Sequence, residues 1–149
     1  MIADIRHQIL YARGSDRALS ALLIDIDQLQ ELSRRIGSLA GHALSLRVAR
    51  VLRDELGAGA LIGRYAGGKF AVTLAGLDAA RALEVADGLR RAVGSRALSL
   101  FGETVTVTVS VGVATLYHTT GVDDLIEDAD GALQRAGRNA VRGPRDVAA

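Results

Sequence analysis

Valine occupies positions 105, 107, 109, 111 and 113, and every residue between them is Thr, Ser or Gly. So strict a period of two over residues 104–113 fits a β-strand and no helix, because side chains alternate faces only in extended backbone. A second strand is predicted at 18–24, a compact apolar run too short for a helix and suited to burial on both faces. It ends in Asp25-Ile26-Asp27. Two further strand-like runs, 61–65 and 70–74, flank Ala66-Gly67-Gly68-Lys69. A Gly-Gly pair between such runs signals a hairpin, since tight hairpin turns need positive φ.

Helical periodicity fills the gaps. A mostly polar pattern spans 28–36, and Leu44, Val48, Val51, Leu52 and Leu56 share a face over 40–56, stopped by Gly57. Further apolar faces run over 78–93 and 122–136, and a short amphipathic helix is predicted over 2–12. The predicted fold class is α/β: a palm-like fold with a central mixed sheet surrounded by helices and a glycine-containing β-hairpin. Periodicity leaves the strand order open. The expected organisation is a single domain over 1–149, with a leading helix in 1–14 and a linker-like tail in 143–149, cut from a longer protein or standing alone.

Composition narrows the classes. The chain has 149 residues, 49% of them apolar, which suffices for one real core. A formal charge of +1, with arginines scattered and Lys69 the only lysine, argues against a nucleic-acid binder. There is no cysteine, so disulfides and thiolate metal sites are excluded. No apolar stretch approaches a membrane span and no signal region opens the chain, so the expectation is a soluble cytoplasmic domain without membrane insertion.

Few residues offer chemistry. Asp25 and Asp27, two apart at a strand end, can hold a divalent metal for phosphoryl transfer; equally, such aspartates cap helices or bond loop amides. The Gly67-Gly68 turn can let amides approach phosphate, but a plain hairpin needs the same glycines. Lys69 can meet phosphate, although a solvated lysine at a hairpin tip is commoner. Thr104, Thr106 and Thr108 can line a site, but a solvated or helix-covered face is the simpler reading. His7, His42 and His118 show no ligand spacing and are assigned to no metal.

Taken together, the segments resemble the GGDEF family of diguanylate cyclases over nearly the whole chain. Leu22-Leu23-Ile24-Asp25-Ile26-Asp27 resembles its strand-end segment, and Arg64-Tyr65-Ala66-Gly67-Gly68-Lys69-Phe70-Ala71-Val72 its signature hairpin. Ser110-Val111-Gly112-Val113-Ala114 resembles a later strand, and Ala129-Asp130-Gly131-Ala132-Leu133 with Arg138-Asn139 the closing helix and loop. The resemblance implies a domain that condenses two GTP molecules to cyclic di-GMP across a dimer.

It also implies that this member has lost the activity. The family's metal ligands fall on Asp25, the lone retained position, and on Gly68, which carries no carboxylate. Lys69 stands where the next glutamate belongs. At an effective dielectric of about 20, a unit charge about 4 Å away is worth roughly 4 kcal/mol, so a cation here opposes a divalent ion. The guanine-reading positions fall on Ser33 and His42, neither of which matches the expected side chain. The phosphate-contacting lysine falls on Gly137, a second family lysine on Gln30, and the product-inhibition segment on Gly57-Ala58-Gly59-Ala60. The expectation is therefore a catalytically inactive domain without metal or cofactor. Asp25, Asp27, Ser33, His42, Arg64, Ala66, Gly67, Gly68, Lys69 and Phe70 are the remnants of its motif. It would act as a regulatory or interaction module in cyclic di-GMP signalling. Its partner would be a protein or a neighbouring EAL or sensor domain, with homodimerisation left open. The alternative is a nucleotide-binding sensor without turnover.

Overall fold

A computed structural model describes residues 18–65, 68–116 and 122–143. The expected leading helix, turn residues Ala66 and Gly67, His7, His118 and the end of the expected tail lie outside the described residues.

The apolar run at the start becomes strand β1 (Leu19–Ile26), buried along nearly its whole length. Helices α1 (Leu29–Ile36) and α2 (Ser38–Leu56) follow, then strands β2 (Leu61–Tyr65) and β3 (Lys69–Ala75). Helix α3 (Ala79–Gly94) precedes β4 (Ala97–Leu100), β5 (Glu103–Thr106) and β6 (Val109–Thr115). Helix α4 (Val122–Ala136) and a short β7 (Val141–Arg142) close the order. The main sheet runs β2-β3-β1-β6-β7, antiparallel except for the β6–β7 pair, and β4 and β5 form a separate two-stranded sheet. This is the mixed α/β architecture expected, with β1 at the centre.

The strand expected over 104–113 is corrected: it is two strands. The ladder breaks at Val107–Thr108, so β5 pairs with β4 while β6 pairs with β1. Alternation continues through the break and hides it, because Val105 and Val107 are buried in the same core as Val109. Strands β4 and β7, of four and two residues, carry too little periodicity to stand out in the sequence.

The two faces of the main sheet are covered differently. Leu22, Ile24, Ile26, Phe70, Val72, Val109, Val111 and Val113 meet α2, α3 and the β4–β5 hairpin in the larger core. Leu19, Ala21, Leu23, Ala71 and Ala114 meet Leu125, Ile126, Ala129 and Leu133 of α4. On β6 the large valines thus face one side, while Ser110, Gly112 and Ala114 form a low floor on which α4 lies close. Among the described residues no helix is long and apolar enough to cross a membrane.

Candidate functional site

The C-terminal end of β1 is where the sheet delivers its polar groups. The register Ile24↔Phe70, continued by one residue, sets Asp25 beside Lys69, and Asp25 pairs with Ser110 on β6. Asp25 and Lys69 have the parity of Leu23 and Ala71, so both point toward the α4 side. There Lys69 Nζ donates to Asp130 Oδ1 of α4 at 2.8 Å. The expectation of a solvated lysine at a hairpin tip is corrected: the side chain is 25% exposed. Lys69 is the first residue of β3 rather than the tip, and α4 passes over it. Asp130 also accepts from Gln134 Nε2 at 3.3 Å.

Asp25 is half-buried and carries a stability cost. Burial pushes its carboxyl above its ordinary value; the Lys69 ammonium pulls it back, and Asp27 adds to the rise. The folded form therefore holds this proton to higher pH than the unfolded chain does. Stability contributed by the group is lost as pH climbs from the unfolded pKa, near 4, through the folded one. Asp25→Asn should melt higher than the parent at neutral pH, with the difference vanishing below about pH 4. Melting curves over a pH series check this; a variant less stable at neutral pH would contradict it.

Asp27 does a different job. It accepts from Thr108 Oγ1 and Ser110 Oγ, each at 2.6 Å, and from the Asn139 backbone N–H at 2.8 Å. Its own N–H donates to the Thr108 carbonyl at 3.0 Å. Ser110 Oγ also lies 2.6 Å from Gly137 O. The carboxylate thus ties β1, β6 and the loop after α4. Thr104 and Thr106 are exposed on the hairpin, and only Thr108 of that threonine series reaches the site.

The signature hairpin brings Gly68 in at φ 80, with open space around it, and Phe70 buried in the core. The Arg64 guanidinium sits over the Phe70 ring, 4.8 Å from its centroid. Ser33 on α1 packs against Gly41 near the start of α2, where a Cβ would collide with its hydroxyl, and His42 beside it is exposed. Gly57 caps α2 at φ 71, its N–H donating to Arg53 O, so the first position of the expected product-inhibition segment serves as a helix stop. Beside Asp25 and the start of α1 opens a groove of about 380 Å³, lined by Gln28, Gln30, Glu31 and Arg34 among others. Among the described residues no three acidic or imidazole groups converge as metal ligands. Asp25 faces an ammonium instead, a donor set that does not fit a hard divalent cation. Sequence reasoning did not foresee Asp130 as the partner of Lys69, and it set aside Thr108, whose hydroxyl meets Asp27 together with that of Ser110. The signal for Asp130 was a single lysine entering a half-buried strand end, where it needs a counter-charge.

The sequence model described as "Diguanylate cyclase, GGDEF domain" matches residues 1–142. The chain belongs to the GGDEF family. It is 35% identical over 133 residues to diguanylate cyclase TpbB of Pseudomonas aeruginosa, covering 87% of this chain and 30% of that protein. To diguanylate cyclase A of Treponema denticola it is 31% identical over 127 residues, covering 83% and 34%. The chain thus spans about a third of the length of these relatives. The GGDEF domain structure of TpbB superposes with a TM-score of 0.90 at 28% identity, covering 97% of this chain and 92% of that one. The active GGEEF domain of a Vibrio cholerae diguanylate cyclase gives 0.89 at 23% identity, covering 97% and 94%, which shows the shared fold. This GGDEF domain therefore belongs to the cyclic di-GMP signalling family.

Proposed function

We propose that this GGDEF domain does not synthesise cyclic di-GMP and acts instead as a regulatory, protein-interacting module in that signalling. The observation that carries the reading is the Lys69–Asp130 ion pair at 2.8 Å, set beside Asp25. The only lysine of the chain stands where the family's resemblance puts a carboxylate, and it is already neutralised from within. Among its lining residues the adjoining groove offers a triphosphate one guanidinium, Arg34, against the carboxylates of Asp25 and Glu31, and the exposed Arg138 guanidinium nearby lies 3.9 Å from Glu31. Anion binding there gains little. Residues 1–149 would form one domain of a longer cytoplasmic protein, coupled to a sensor or EAL domain or to a separate partner.

Calorimetric titration of the purified domain with GTP and magnesium, and in parallel with cyclic di-GMP, tests the reading. Silence in both and no product on prolonged incubation is the expected result; product formation overturns it. The Gly68→Asp/Lys69→Glu double variant is expected to stay without turnover. It leaves Ser33 and His42 unchanged, and it forces a β-carbon onto a residue held at φ 80, at a cost of about 1 kcal/mol or more. Robust turnover would refute the roles given to Ser33 and His42.

One observation favours the second reading, a nucleotide sensor without turnover. Asp25 stays half-buried at the mouth of an open groove despite its cost to the fold. Magnesium-dependent GTP binding without product would establish that reading and displace the first.

A further inference from the structure

On the opposite face of the sheet from Lys69, α2 and the β4–β5 hairpin enclose a second groove of about 310 Å³. Val51, Ala97 and Leu98 supply its apolar wall, and Arg47, Arg50 and Arg96 its rim, with Asp54 the one carboxylate among the lining residues. Arg96 is partly engaged by Glu55 at 3.4 Å. Arg47 and Arg50 make no ion pair or hydrogen bond with any described residue, although both are exposed. Two guanidiniums without a direct ion-pair partner thus border an apolar wall, with Asp54 one helical turn from Arg50.

The apolar surface nearby is equally uneven. Among the described residues the exposed large hydrophobics are Leu39, Leu46 and Phe101, and all three belong to the elements that flank this groove. Leu39 and Leu46 are seven apart on α2, and Leu46 precedes Arg50 by four, so they form one stripe along the helix. Phe101 is 76% exposed at the tip of the hairpin. It lies three residues beyond Leu98, about 10 Å along the strand. Its backbone is at φ 48 and that of Gly102 at φ 83. Such a turn favours Asn or Asp at the first position, and an aromatic there is held against its steric preference. Exposing the ring returns no burial to offset that strain. The fold gives no reason for a phenylalanine here; a binding surface does.

We infer that this face docks an acidic amphipathic segment of a partner protein, with carboxylates meeting Arg47 and Arg50 and apolar side chains meeting the groove floor, Leu46 and Phe101. Charge complementarity selects the occupant: unpaired arginines beside apolar walls match a strip that alternates acidic and apolar groups. The inference gives the regulatory reading a partner chemistry. It does not depend on the strand-end site being silent, because it stands on the other face of the sheet.

Selection of a random peptide library on the immobilised domain tests it, with the enriched peptides themselves as the probe. These should carry Asp or Glu interspersed with Leu, Ile or Phe, and bind less tightly as salt is raised. The Arg47→Glu/Arg50→Glu variant should bind them about tenfold or more weakly, which corresponds to about 1.4 kcal/mol. Phe101→Asn separates function from fold, for it should raise the melting temperature while weakening binding. Peptides without acidic bias, equal binding to the charge-reversed variant, or no enrichment overturns the inference. So does sedimentation showing that the face is covered by a second copy of this chain, with dimerisation lost on reversing Arg47 and Arg50.

Discussion

Gly112→Ala should cost this domain about 3–5 kcal/mol, a larger loss than most single methyl additions produce. At roughly 3 °C per kcal/mol for a chain of this size, the melting temperature should fall by about 10 °C or more. Gly112 lies in β6 between Leu23 of β1 and Arg142 of β7, so its backbone is fixed from both sides. A Cβ built there would collide with the Ala129 carbonyl oxygen and the Leu133 amide nitrogen, and would lie 2.8 Å from Leu133 Cα. These are backbone atoms of α4, which cannot swing aside as a side chain can. The helix would have to lift from the sheet and uncover Leu19, Leu23, Leu125 and Leu133. Gly131→Ala in the same helix is the control. A Cβ there meets only the end of the Arg135 side chain, Nη1, at an ordinary contact distance of 3.5 Å, and alanine gains about 1 kcal/mol over glycine in a helix interior. Thermal melts of the two variants should move in opposite directions; a Gly112 variant as stable as the parent would mean that α4 does not lie where the structure puts it.

That close approach explains which parts of the fold were legible in the sequence. Apolar periodicity carried α2, α3 and α4, because each buries a regular face, and β1 showed as a continuous apolar run because it is buried on both faces. The valine alternation identified an apolar face correctly, yet the residues between the valines have different environments. Thr104 and Thr106 meet water, whereas Ser110, Gly112 and Ala114 lie under α4. Period two reports that faces differ, not what covers the second one. It also cannot report a ladder break at Val107–Thr108, since a change of pairing partner leaves the alternation intact. In the site, the signature hairpin and the strand-end aspartates were legible as a pattern of residue types. What Lys69 touches was not, because Asp130 is 61 residues away in sequence and is brought close only by the packing of α4. Ser33 and the residues around His42 do come together, through Gly41, in a contact between consecutive helices that spacing alone does not specify.

Asp25 and Asp27 show the same limit more sharply, since one residue type two positions apart should give effects of opposite sign. Asp25→Asn removes a charge that burial disfavours, and stability at neutral pH should rise. Asp27→Ala removes the acceptor shared by Thr108, Ser110 and the Asn139 amide, and stability should fall by about 2–4 kcal/mol. Partial exposure sets the upper bound, because water can reach some of the released donors. The loss should also be local. Asn139 sits at φ 48 and Gly137 at φ 76, so the loop after α4 is held in two left-handed turns, and Asp27 helps to hold it. Its release should loosen β7, whose pairing with β6 begins at Val111↔Val141. Hydrogen exchange should therefore speed up more over 137–142 than in β1 or β3. If exchange rises uniformly instead, Asp27 supports global stability only. If Asp27→Ala melts no lower than the parent, its three short contacts contribute nothing, and the pair would have to be read again as a ligand-binding remnant rather than one latch and one liability.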